Sequence, residues 1–113
     1  MRDFMLILRE DFSAYEHMSP EELQKLVQSH MNWVQELSEK GHFKAGDGLS
    51  NEGKVLKGKN GMVTDGPHIE AKEGVGGYYL IQANDFEEAI EISKACPTLQ
   101  YDGTVEVRPI MIY

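Results

Sequence analysis

The sequence predicts an α+β domain in the order β-α-β-β-α-β, a four-stranded antiparallel sheet with two helices on one face and a β-hairpin inserted between its middle strands. Three observations predict it. Two segments carry both start and stop signals for helices, at Ser19–Gly41 and Asp85–Pro97. Short apolar runs flank each of them. Ten of the eleven glycines fall between Gly41 and Gly77, so that middle section reads as strands broken by turns.

Phe4-Met-Leu-Ile-Leu8 is a continuous apolar run bounded by Asp3 and Arg9-Glu10-Asp11. Its length predicts a strand, and its lack of alternation predicts burial on both faces. A polar linker containing Tyr15 and His17 follows. Ser19 then suits an N-cap, Pro20 the first helical position, and Glu22 completes a capping box. Leu23, Leu26, Val27, His30, Val34 and Leu37 recur at three- and four-residue steps up to Gly41, which predicts a helix from about 20 to about 40.

His42–Ala45 reads as a short strand, with a bend or bulge at Gly46-Asp47-Gly48. Lys54–Lys57 and Gly61–Thr64 flank Asn60-Gly61, a pair favoured in type I′ hairpins. Tyr78–Ala83 is the next strand. Asp85 with Glu88 caps a second helix carrying Phe86, Ala89, Ile90 and Ser93 inward, and Pro97 ends it. Gly103 turns the chain into a last strand, Val105–Ile112. Without its hairpin this is the split βαβ arrangement of ferredoxin-like folds. Two helices cover one sheet face only, so a second copy of the chain is expected on the other, making a homodimer, with the hairpin as an alternative cover for part of it.

At 113 residues the chain is one domain, 1–113. Nineteen Asp and Glu against eleven Lys and Arg give a formal charge of −8, a surface that repels phosphate backbones and argues against direct nucleic-acid binding. The densest basic run, Lys54 to Lys59, holds only three lysines, spread along the hairpin. Cys96 is the single cysteine, so no internal disulfide forms, which fits a reducing, cytoplasmic setting. No apolar run approaches membrane-spanning length and no signal segment precedes the first strand, so no membrane association is expected.

The stretch Thr64–Tyr79 concentrates polar chemistry at the mouth of a buried strand, the usual place for a pocket lining. Asp65-Gly66-Pro67 makes a turn, and Glu70, Lys72 and Glu73 follow within four positions. Gly74-Val-Gly-Gly77 precedes a strand and not a helix, so it is no phosphate cradle. His30, His42, His68 and Asp65 lack metal-ligand spacing, and neither a metal nor a cofactor is expected. Cys96 reads as a packing residue.

Asp65-Gly66-Pro67, Glu70, Lys72, Glu73 and Gly76-Gly77-Tyr78 resemble the signature of the DGPF, or YCII-related, family. Ser19-Pro20-Glu21-Glu22, His30, Gly46, Gly48, Asp85 with Glu88-Ala89 and Val105–Pro109 agree in order, so the resemblance spans nearly the whole chain. It implies a dimeric α/β barrel. Some relatives act on aromatic or lactone-like compounds through a proposed His/Asp pair; others are associated with sigma factors and carry a transcription-related label. His68 stands where the family usually has Phe, so the substrate class does not carry over.

His30 and Asp65 are accordingly the candidate acid/base pair, with Trp33, His68, Glu70, Lys72 and Arg108 as candidate ligand-binding residues. Each has a plainer reading. His30 suits a core histidine with a nearby acceptor, Asp65 a turn residue, and the Glu70–Glu73 charges a solvated cluster. Glu106 and Arg108 share one strand face and pair with each other or point inward. Two functions remain open: a small enzyme doing lyase- or isomerase-like proton chemistry on a polar or aromatic molecule, and a non-catalytic module that binds a metabolite or docks on a sigma factor or other basic protein.

Overall fold

The computed structural model describes residues 1–66 and 73–113, and of Glu73 the backbone alone. The four-stranded sheet has the order β2-β5-β1-β6, with β1 at Arg2–Asp11, β2 at Phe43–Gly48, β5 at Glu73–Ala83 and β6 at Thr104–Pro109. Every pairing in it is antiparallel. β3 (Gly53–Lys57) and β4 (Met62–Gly66) form a separate two-stranded sheet. The βαββαβ architecture with an added hairpin is the one the sequence predicts.

Helix α2 spans Pro20–Glu39. Ser19 Oγ accepts from the Glu22 N–H at 3.1 Å, and at the other end Gly41, at φ +78°, lets the His42 N–H reach the Leu37 carbonyl at 2.8 Å. That closing bond satisfies a carbonyl the helix itself leaves open. Helix α3 spans Phe86–Ser93, with Asp85 accepting from the Glu88 N–H at 2.8 Å. It stops short of Pro97, which instead opens a 3-10 turn over Pro97–Tyr101. A further short helix, α1 (Phe12–Glu16), replaces the expected linker; Asp11 caps it through the Ser13 N–H.

Strand ends also differ from expectation. β2 continues through Gly46–Gly48, absorbing its irregularity as a bulge between Phe43 and Ala45. The hairpin turn takes the four residues 58–61, because Gly58 as well as Gly61 stands at positive φ. β6 ends at Pro109, although the Ile110 N–H still reaches the Asp3 carbonyl at 2.9 Å.

The core lies between the sheet and the helices. Phe4, Leu6 and Leu8 of β1 face it, together with Tyr79, Ile81 and Ala83 of β5, Trp33 and Leu37 of α2, Ala89 and Cys96. β1 therefore alternates: Met5 and Ile7, on the bare face, are only half-buried in the single chain. Among the described residues, no helix is long and apolar enough to cross a membrane.

Candidate functional site

The site starts from one hydrogen bond. His30 lies on the inner side of α2, one turn from Leu26 and from Trp33, and its ring is half-buried. Its Nδ1 is 2.7 Å from the hydroxyl of Tyr79, which the two-residue period of β5 places on the inner sheet face with Ile81. The two rings stack at 5.9 Å between centroids and 25° between planes. Tyr79 is fixed from other sides by Trp33, edge-on at 5.1 Å, and by Phe43 at 6.4 Å.

His30 and Tyr79 stand on the wall of an open cavity of about 880 Å³ bordered by β1, α1, α2 and the glycine-rich parts of β2 and β5. Leu8, Phe12, Leu26, Val27 and Val34 make much of that wall apolar. Its polar groups include Glu10, at the inner end of β1, and Tyr15 on α1. Glu10 accepts hydrogen bonds from Tyr15 and from Thr98, the latter at 3.4 Å.

Burial lowers the His30 pKa, and the Glu10 charge raises it by less, so the net shift is downward and the imidazole is neutral at pH 7. Burial chiefly pushes the Tyr79 phenol up, with Cys96 and Glu10 adding to it, and Tyr79 stays protonated. Tyr15 rises as well, first from burial and then from its bond to Glu10. The His30–Tyr79 contact thus joins two neutral groups and takes one of two forms. Tyr79 O–H donates to Nδ1, leaving Nε2–H as a donor, or Nδ1–H donates to the phenol oxygen, leaving Nε2 as a base. Either form equips the wall to give or take one proton.

The lowered His30 pKa has a stability consequence with a definite sign. Between the depressed native value and the ordinary value of 6.5, the unfolded chain holds a proton that the native chain does not. The His30 contribution is therefore complete above pH 6.5 and is lost as pH falls through that window. Urea midpoints for wild type and His30→Gln, compared from about pH 7.5 to about pH 5, should diverge in that sense. Parallel curves would mean that His30 titrates normally.

The other predicted site residues are placed as follows. Asp65 is on β4, with its side chain 88% exposed, and ion-pairs with Lys54, its register partner on β3. It is not in the cavity wall. The expected His30–Asp65 contact is thus corrected to His30–Tyr79, with Glu10 as the carboxylate acting on the imidazole. Trp33 is 5% exposed and packs behind Tyr79 in the core, so it too is outside the wall. Arg108 projects from the opposite sheet face, 3.8 Å from Glu106, and borders a separate hollow of about 330 Å³ with Met5 and Ile7. His68, Glu70 and Lys72 lie outside the described residues. His42 bonds the Gln82 carbonyl at 2.9 Å and ties the end of α2 to β5.

Glu10, Tyr15 and Tyr79 escaped the sequence reading. A signal existed for two of them. Phe4, Leu6 and Leu8 continue by twos to Glu10, and a tyrosine buried opposite a helical histidine needs a polar partner.

A chain with this sheet order and a histidine-lined cavity under its long helix falls within the ferredoxin-like α+β class. A sequence profile of the YCII-related domain matches residues 3–112, and the chain belongs to that family. An uncharacterized protein of Rhizobium meliloti is 39% identical over 56 residues, 46% of this chain and 43% of its own length, so the match spans less than half of that relative. A solved structure of 5-chloro-2-hydroxyhydroquinone dehydrochlorinase (TftG) from Burkholderia phenoliruptrix, in complex with 2,5-dihydroxybenzoquinone, aligns over 97% of this chain and 95% of its own at 17% identity and a TM-score of 0.46.

Proposed function

We propose that the chain binds a small, largely apolar or aromatic molecule in the cavity beneath α2, and that His30 with Tyr79 moves a proton on it. The 2.7 Å bond between these side chains, on a cavity wall, carries the reading. At about 880 Å³ the cavity suits a ligand of ordinary metabolite or drug size, for which pockets of roughly 300–1,000 Å³ are usual. The neutral imidazole is available as base or donor near pH 7, and the wall around it supplies the low-polarity surroundings in which proton transfer is tuned. The chemistry is general acid/base transfer of the lyase or isomerase kind, with the carboxylate part played by Glu10 in place of Asp65.

Ligand-observed NMR against phenols, hydroxyquinones, aromatic ketones and aryl amines tests the reading in heavy water. In protein methyl spectra the ligands should perturb Leu26 and Val27, and the chain should exchange an acidic carbon-bound ligand proton for deuterium. His30→Ala and Tyr79→Phe should slow that exchange by about 100-fold or more, the usual scale for a lost acid/base group. If both variants exchange the proton at the wild-type rate, the acid/base reading fails. A non-catalytic docking module, a sigma-factor partner included, then becomes the better account.

A further inference from the structure

Resting on that cavity reading, we propose that the ligand is an organic cation: a primary or secondary ammonium on an aromatic or branched hydrocarbon body, its nitrogen held by Glu10. Glu10 comes off the inner face of β1, is half-buried, and belongs to the cavity wall. Its carboxylate lies over Gly76, where a Cβ would stand 2.4 Å from Oε2, so the glycine makes room for the acid at this point.

Its partners among the described residues are neutral. Tyr15 and Thr98 donate hydroxyl hydrogens to it, which orients the group and leaves its charge in place. That charge acts on His30 and Tyr79 in the cavity wall, and on Cys96 in the core. No lysine or arginine stands among the described residues of the wall, and the neighbouring Arg9 is turned to the opposite sheet face by its ion pair with Glu106.

Among the described residues the cavity is therefore negative inside, and none of them sets a cation against the carboxylate's remaining lone pairs. A carboxylate or phosphate ligand would meet this charge uncompensated. A neutral ligand would fill the space without using it. An ammonium group with N–H donors completes it, and the rings of Phe12 and Tyr15 in the same wall supply aromatic surface beside which a cation and its aromatic body both sit favourably. A quaternary nitrogen would lack those donors.

Calorimetric titration of 2-phenylethylamine, 2-phenylethanol and phenylacetate, which share a body and differ in charge, tests the selection. The amine should bind at least about tenfold more tightly than the alcohol, with the acid weakest. Glu10→Gln should erase the amine preference, so that amine and alcohol bind within about twofold of each other, and Glu10→Asp should keep part of the preference. Equal binding of amine and alcohol, or a preference that survives Glu10→Gln, overturns this inference and leaves the cavity reading standing. Binding of none of the three overturns both.

Discussion

Trp33→Ala should destabilise the chain by about 3–5 kcal/mol, the range for deleting a large aromatic from a packed core. Trp33 is 5% exposed and meets the Tyr79 ring edge-on at 5.1 Å and 78°. Removing the indole leaves a void bordered by groups fixed to the sheet, which collapses poorly. Against a total stability of roughly 5–15 kcal/mol, such a loss takes much of the folded population's margin. Urea unfolding measures it directly. The same variant separates two roles for this residue. A ligand-contacting Trp33 would change affinity with little change in unfolding midpoint. The packing predicts the reverse order, with stability falling first and ligand binding weakening because Tyr79 has lost its flank. A midpoint shift corresponding to less than about 1 kcal/mol would refute the core assignment.

The fold was legible because its signals are local. Ser19 with Glu22, Gly41, and Asp85 with Glu88 mark helix ends through hydrogen bonds to their own backbone, and the structure contains those bonds. Pro97 misled in a physically simple way. Proline both follows helices and begins helical turns, and here it opens the 3-10 turn. The site was half legible. His30 stood out as an imidazole in an apolar stripe, but its partner depends on pairing distant in sequence, 49 residues away. Asp65 attracted attention as part of a conspicuous motif, whereas its direct cross-strand neighbour is Lys54, which a hairpin register reveals only once the turn length is known. The four-residue turn at 58–61 sets that register, and the favoured Asn60-Gly61 pair pointed to a shorter one.

Gly46→Ala should disable the site while leaving the chemical groups of His30 and Tyr79 in place. A Cβ on Gly46 would lie 2.4 Å from Cδ1 and 2.9 Å from Cε1 of Tyr79, closer than carbon atoms approach. The ring has little room to retreat, with Trp33 and Phe43 against its edges and the His30 ring stacked over it. Either β2 shifts or the ring swings, and a swing breaks the 2.7 Å bond to His30. Overpacking of this kind costs about 1–3 kcal/mol. Proton exchange on the bound ligand should fall to within about tenfold of the Tyr79→Phe rate, since both variants remove the same contact. Gly48→Ala is the control on the same strand: its Cβ would meet only the Gly76 carbonyl, at 4.0 Å, and stability should stay within about 0.5 kcal/mol of wild type. Combining Gly46→Ala with Tyr79→Phe should slow exchange no further than the slower single variant, because the contact can be lost only once. A Gly46→Ala protein with wild-type exchange and an unshifted midpoint would show that Tyr79 need not hold His30 for the site to work.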